Sequence, residues 1–264
     1  MLEISGAVAV ITGGGSGIGE SIAKEWVKHN DKVILADIVP ESISRIEKDI
    51  LKIGGEVGSI VCDVTKEGDN HALAQLAVEK FGAINLVVPC ASLVRDGLML
   101  SIDKHKGRVT KKMSLAQSQS VLDTNLTGVF LTVRECVEQM INLDCKGLIC
   151  LVSSISSLGI AGQINYSSTK AAVSVMPKVI TAEFFRRGLA HRIRCVAVAP
   201  GLVATPMVES MDRKVIDNIL QNVPIRRSVD SVEVASLVIE LYRNEATAGD
   251  VFYIHGGLRF GSKG

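Results

Sequence analysis

Aromatic residues are scarce in this chain of 264, which has one tryptophan, three tyrosines and six phenylalanines. Binders of single-stranded nucleic acid stack successive bases on aromatic rings, and so few rings leave little from which to build such a platform. Charge of one sign is also lacking, with 29 basic and 28 acidic side chains and a formal net charge of +1. A chain so balanced has no long-range field to draw in DNA or an anionic membrane, and neither is expected as a partner. No run of eighteen apolar residues occurs, which excludes a membrane-spanning helix. The amino terminus MLEISGAVAVITGG has no basic leader and reads as the start of the fold, not as a signal peptide.

Close cysteine pairs and metal-ligand spacings are missing too. The six cysteines, at 62, 90, 136, 145, 150 and 195, contain no CxxC and lie in apolar segments of a chain too large to need stapling. Buried free thiols are expected, and with them a reducing, cytoplasmic compartment. The five histidines show no HExxH pattern, so no metal site is expected. Prolines number only 6 against 24 glycines, and 47% of residues are apolar, a composition that suits a compact α/β protein.

What is present is an ordered alternation. Short apolar runs at 7–11, 33–36, 58–62, 85–88, 148–152, 193–199 and 251–254 read as strands. Periodic stretches at 19–29, 41–53, 69–80, 114–140, 166–185 and 231–242 read as helices. Seven strands separated by helices predict a doubly wound parallel sheet with helices on both faces, built as a single domain over 1–264. Pro177 is inconsistent with an unbroken helix over 166–185, because it removes a hydrogen bond and should kink or end it. The segment 98–113 departs from the pattern, reading as two extended pieces around Lys106-Gly107. It carries the basic run Lys104, Lys106, Arg108, Lys111 and Lys112, which a solvated loop would explain.

Thr12-Gly13-Gly14-Gly15-Ser16-Gly17-Ile18-Gly19 stands directly after a strand and before a helix. Glycines there let a diphosphate approach the free amides of a helix amino terminus, and no Lys-Ser/Thr follows to make it an ATP or GTP loop. Asp37 closes the second strand, 18 residues after Gly19. A carboxylate at that place accepts from ribose hydroxyls and repels a 2′-phosphate, which favours NAD(H) over NADP(H). Asp63-Val64 follows the third strand, where Asp63 either meets the adenine edge or caps the next helix.

Tyr166 and Lys170 are four apart and share a helix face. An ammonium beside a phenol favours phenolate, so the pair can exchange a proton, although such pairs often only cover a helix surface. Ser153, at the end of the preceding strand, points to the same crevice, where a hydroxyl can hydrogen-bond a carbonyl oxygen. Ser154, Ser156 and Ser157 compete for that role on pattern.

Together these motifs resemble the short-chain dehydrogenase/reductase family across essentially the whole chain. TGGGSGIG is similar to the family's TGxxxGIG, Tyr166 to Lys170 to its YxxxK, and Pro200-Gly201 with Thr205 to the turn over the nicotinamide. The resemblance implies a Rossmann-type fold and four catalytic residues. Asn125 would support an ordered water and a proton path, Ser153 would polarise substrate, Tyr166 would be the acid/base, and Lys170 would lower its pKa and bond the ribose. It also implies a cofactor cradle of Gly13, Gly15, Ser16, Gly17, Ile18, Gly19, Asp37, Ile38, Asp63, Val64, Ala91, Tyr166, Lys170, Pro200, Gly201, Val203 and Thr205. Pro89-Cys90-Ala91-Ser92 departs from the family's Asn-Asn-Ala-Gly and keeps only the alanine.

Arg95-Asp96-Gly97-Leu98 and Gly256-Gly257-Leu258-Arg259 look most like the 3-oxoacyl-thioester reductases of this family. The implied activity is NAD(H)-dependent interconversion of a carbonyl and a secondary alcohol, with an acyl thioester among the small-molecule substrates. A secondary, cyclic or polyol dehydrogenase and a catalytically silent dinucleotide-binding regulator are the alternatives. Carrier-protein docking is an incomplete match, because Asp144 and Arg187 stand where two basic residues are common. By likeness the chain would form a homotetramer or homodimer.

Overall fold

β-branched and leucine side chains dominate the apolar runs, and they pair into strands buried on both sides. The computed structural model describes residues 2, 5–103, 105–209 and 212–258; Lys104 of the basic run and Arg259 of the closing motif lie outside the described residues. The strands in chain order are β1 (Val8–Thr12), β2 (Lys32–Asp37), β3 (Glu56–Val61), β4 (Leu86–Pro89), β5 (Leu100–Ile102), β6 (Val109–Lys112), β7 (Gly147–Val152), β8 (Ile193–Pro200), β9 (Val203–Ala204), β10 (Val229–Asp230) and β11 (Val251–Ile254). The helices are α1 (Gly17–Val27), α2 (Pro40–Lys52), α3 (Glu67–Phe81), α4 (Leu115–Leu122), α5 (Gly128–Asn142), α6 (Ile164–Arg186), α7 (Pro206–Glu209), α8 (Arg213–Leu220) and α9 (Ser231–Arg243).

Seven strands form one parallel sheet in the order β11-β8-β7-β4-β1-β2-β3, as the alternation predicts. Alternate side chains leave opposite faces. Ala9 and Ile11 of β1 pack with Ile22 and Trp26 of α1, Ile46 of α2 and Val238 of α9. Val10 packs on the other face with Leu73 of α3, Met140 of α5 and Val173 of α6. Trp26 meets Tyr242 edge-on, with ring centroids 4.9 Å apart, which locks α1 to α9. The chain runs from β1 outward to β3 and then returns to β4 on β1's other side. That reversal opens a crevice at the carboxyl ends of β1 and β4, where ligands bind in sheets of this kind.

The structure adds detail to two readings of the helices. The stretch 114–140 is helical throughout but not uniformly α: α4 ends at Leu122, a π-helical turn spans Asp123–Thr127, and α5 starts at Gly128. The wide turn is where Asn125 reaches back to the loop after β4, and such π turns recur at functional sites. Pro177 neither ends nor splits α6, which runs for 23 residues with the proline buried inside it. The 98–113 excursion is a hairpin, with β5 and β6 antiparallel and Gly107 at φ 61° in its turn. All six cysteines are free thiols. No helix among the described residues is long and apolar enough to cross a membrane.

Candidate active site

The loop from β1 to α1 folds so tightly that side chains would obstruct it. A Cβ on Gly19 would fall 2.2 Å from the Gly13 carbonyl oxygen, and one on Gly13 would fall 2.7 Å from Ala91 N. Ser16 adopts an extended conformation before α1 and makes no side-chain cap. No side chain therefore caps the first turn of α1, and of its first amides that of Gly19 meets the Cys90 thiol.

This loop floors a crevice of about 480 Å³, lined by Gly13, Ser16, Gly17, Ile18, Asp37, Ile38, Asp63, Val64, Ala91, Ser153, Tyr166, Lys170, Pro200, Gly201, Val203 and Thr205. Fifteen of these come from the cradle that the sequence implied, Tyr166 and Lys170 among them, and Ser153 comes from the catalytic set. Gly15 and Gly19 lie behind that wall as backbone support, and so does Asn125, whose neighbour Thr124 does line it. Thr205 closes over the loop, its side chain 3.3 Å from where a Gly17 Cβ would stand.

At the far end from Tyr166, Asp37 Oδ2 accepts from Gly15 N at 3.0 Å and Oδ1 accepts from Val39 N at 3.1 Å. Arg45 of α2 donates to the Gly15 carbonyl at 3.1 Å, bringing a base beside the glycine loop. Its guanidinium is held bidentately by Glu20, at 3.1 and 2.8 Å, so its charge is already answered. No local sequence pattern marks Arg45, which lies less than two turns into α2. Asp63 forms a turn with Thr65, accepting from its amide at 3.1 Å and its hydroxyl at 2.7 Å, while also forming part of the crevice wall. Asp63 does not cap α3, whose N-cap is Lys66 and carries no side-chain cap; its place in the crevice wall is what agrees with the other reading.

The loop after β4 is pinned from two sides. Ala91 N donates to Thr12 Oγ1 at 3.3 Å, and Leu93 exchanges two hydrogen bonds with the buried Asn125. β4 pairs with β1 as far as Pro89 but with β7 only through Val87, consistent with proline's missing N–H.

β7 delivers Ser153 and Ser154, and alternation along an extended backbone sends them opposite ways. Ser153, expected to face substrate, instead donates to the Lys170 carbonyl at 2.9 Å and pairs with Ser174 Oγ at 2.7 Å. Ser154 is the serine whose hydroxyl sits against the Tyr166 phenol, with the Ser92 hydroxyl also close to it. Lys170 is buried, with Nζ 5.5 Å from the Tyr166 ring centroid and donating to the Val152 carbonyl at 2.9 Å.

The expected lowering of the tyrosine pKa is overturned by burial. Desolvation pushes Tyr166 up to about 12, against the opposing pull of Ser154 and Ser92. The same effect brings Lys170 down to about 8. Cys90, in the place of a family asparagine, is a crevice thiol that burial raises to about 11.

A phenol, an ammonium and a hydroxyl thus line the same crevice as the glycine loop and the Asp37 carboxylate. A family model described as short chain dehydrogenase matches residues 7–215. The chain is 30% identical over 259 residues to a 3-oxoacyl-acyl-carrier-protein reductase of Thermotoga maritima, covering 97% of this chain and 99% of the relative. It is 33% identical over 264 residues to 3-hydroxyacyl-CoA dehydrogenase type-2 of Rattus norvegicus, covering 97% of each. Among solved structures, levodione reductase superposes with a TM-score of 0.83 at 26% identity, over 96% of this chain and 97% of that one. The 7α-hydroxysteroid dehydrogenase complexed with NADH and 7-oxo glycochenodeoxycholic acid shares the fold, with a TM-score of 0.85 at 24% identity over 97% and 95%. The match over most of the chain and the motifs assembled at one crevice lead to the same conclusion: this protein belongs to the short-chain dehydrogenase family.

Proposed function

We propose that the protein reduces 3-oxoacyl thioesters with NADH, or oxidises the corresponding 3-hydroxyacyl thioesters with NAD. Oxidoreductase chemistry on a carbinol or carbonyl with a nicotinamide dinucleotide is common to the family. The thioester rests on the reductase and hydroxyacyl-CoA dehydrogenase relatives. The observation that carries the reading is the convergence of Tyr166, Lys170 and Ser154 on one crevice with the glycine cradle.

The cradle fits a dinucleotide because its glycines let the loop fold where side chains would clash and because no side chain caps the first turn of α1. Gly13, Ser16, Gly17 and Ile18 would hold the diphosphate, Asp37 and Ile38 the adenosine ribose, and Asp63, Val64 and Ala91 the adenine side. Pro200, Gly201, Val203 and Thr205 would cover the nicotinamide. The preference for NAD(H) is supported by the Asp37 carboxylate and by Arg45 being engaged with Glu20.

When bound, the nicotinamide supplies or takes the hydride. Tyr166 Oη gives its proton to the substrate oxygen during reduction, and burial keeps it protonated at neutral pH for that purpose. Ser154 Oγ donates to the same oxygen, so it takes the role first assigned to Ser153, while Ser153 ties the second and third turns of α6 to the end of β7. Lys170 holds positive charge beside the phenolate that forms, and Asn125 fixes the loop on which Ala91 to Leu93 are presented. Tyr166→Phe should abolish reduction of acetoacetyl-CoA while leaving NADH binding intact; ordinary turnover in that variant would end the assignment.

A ketone or cyclic alcohol substrate is the second reading, favoured by the likeness to levodione reductase. Exposed Val175, Val179 and Phe185 on α6 support assembly as a homodimer or homotetramer, and six free thiols support a reducing, cytoplasmic setting.

A further inference from the structure

The β5–β6 hairpin has no part in the proton chemistry, yet it is rooted beside it. Gly97 bridges to Gln163 and donates to the Gly162 carbonyl at 2.8 Å. Gln163 Nε2 donates to Asp96 Oδ2 at 2.7 Å, and Asn165, next to Tyr166, donates to the Arg95 carbonyl at 3.1 Å. The base of the hairpin is therefore stitched to the segment that leads into Tyr166.

Its surface is cationic and unanswered. Lys106, Arg108, Lys111 and Lys112 are exposed, and among the described residues none has an ion-pair partner. The carboxylate at the turn, Asp103, is consumed in shaping it, accepting from the amides of His105 at 2.8 Å and Lys106 at 2.9 Å. In a chain of net charge +1 this is a local concentration, not a share of a general excess. Lys112 pairs across from Leu100 and Lys111 from Ser101, three to four residues beyond Gly97. At ~3.3 Å per residue, that puts the two ammonium stems roughly 10–13 Å from the hairpin root. Between root and cations lies an apolar surface, with Leu98 58%, Met99 57% and Leu100 41% exposed. Beside it runs a groove of about 440 Å³ lined by Gly97, Met99, Ile160, Ala161 and Ile164.

We propose that this hairpin is a docking site for the phosphate-bearing handle of an acyl-coenzyme A, with the apolar groove receiving the pantetheine arm and Lys111, on the same hairpin face as Met99, meeting the phosphates with Arg108, while Lys112 on the opposite face adds positive charge at the same end. The inference rests on the thioester reading above and selects the thioester. A coenzyme A carries its phosphates at the end of an uncharged arm, away from the reacting carbonyl, and the hairpin presents cations at the end of an apolar stretch, away from Tyr166. An acyl carrier protein is a poorer fit. The surface where basic residues would receive it has Asp144 in place of one of them, ion-paired with Arg192.

The test compares acetoacetyl groups on coenzyme A, on N-acetylcysteamine, which lacks phosphate, and on acyl carrier protein, using the full chain and NADH. In the parent, kcat/KM for the coenzyme A thioester should exceed that for the N-acetylcysteamine thioester, with the excess lost as salt rises. In the double variant Lys111→Glu/Lys112→Glu the ratio of the two should fall about tenfold through KM, and Arg108→Glu should add to the loss. An unchanged ratio would overturn the hairpin assignment while leaving the thioester reading standing. So would a carrier-protein thioester being the best substrate and the one the variants impair. If a cyclic ketone is reduced and no acetoacetyl thioester is, on any handle, the thioester reading and this inference fall together.

Discussion

Asn125 and Leu93 exchange a reciprocal pair of hydrogen bonds: Asn125 Nδ2 donates to the Leu93 carbonyl at 2.9 Å, and Leu93 N donates to Asn125 Oδ1 at 2.7 Å. The amide of one fully buried side chain thus satisfies both backbone groups of a loop residue at the crevice. Asn125→Leu would leave that N–H and C=O unpaired, at about 1–3 kcal/mol each. The variant should unfold at lower urea and turn over at least tenfold more slowly. Asn125→Asp can still accept from Leu93 N but cannot donate to its carbonyl, and should fall between. Wild-type stability in the leucine variant would contradict this.

Ser153 and Ser154 are neighbours with separable consequences. Loss of one hydroxyl directed at a developing oxyanion typically costs 10²–10³ in kcat, so Ser154→Ala should slow carbonyl reduction by about that much. Ser153→Ala removes the bridge to the Lys170 carbonyl and Ser174 and should cost about 1 kcal/mol of stability with less than tenfold in rate. Steady-state rates and denaturant midpoints of both variants decide between the two serines; the reverse order would restore Ser153.

This pair marks where sequence stops being informative. The glycine loop was legible because a steric demand, a Cβ 2.2 Å from the Gly13 carbonyl, admits one residue type. Tyr166 and Lys170 were legible because helix geometry makes four residues one face. The choice among Ser153, Ser154, Ser156 and Ser157 depends on which residue ends β7, and a shift of one reverses the direction of a side chain. Arg45 reaches Gly15 from 30 residues away, and no local pattern encodes that approach. The pKa of Tyr166 was misjudged because spacing shows the ammonium but not the burial that outweighs it. The hairpin was visible as an excursion, while the π turn was hidden inside a continuous helical period.

Cofactor preference should follow charge at Asp37. Asp37→Ser removes the repulsion toward a 2′-phosphate and should raise NADPH affinity relative to NADH by about tenfold or more. Adding Glu20→Gln releases Arg45, which is otherwise held at 2.8 Å, and should improve NADPH binding further. Fluorescence titration with both nucleotides measures this. An unchanged ratio in both variants would show that selectivity lies elsewhere.

Lys170 gives stability a defined pH dependence. Its folded pKa is depressed to about 8 from 10.5, because burial disfavours the ammonium. Between those values the unfolded chain holds a proton that the folded chain has released, so unfolding free energy rises with pH across this window. Below it, burial of the charged form penalises the fold in full. Relative to Lys170→Met, the parent should gain about 2–3 kcal/mol between pH 7.5 and pH 10. Urea titrations of both proteins at the two pH values check the sign; parallel curves would mean that the buried ammonium is better solvated than its surroundings suggest.

The free thiols have a consequence of a different kind. Cys62, Cys90 and Cys150 are raised to about 12, 11 and 12, where burial suppresses the reactive thiolate. At neutral pH about one in 10⁴ or fewer of these sulfurs is ionised in the native fold, against a few in a hundred for an exposed cysteine. Because these cysteines sit just past β3, just past β4 and on β7, alkylation would time the parting of neighbouring strands, and the crevice thiol of Cys90 would register ligand occupancy by its silence.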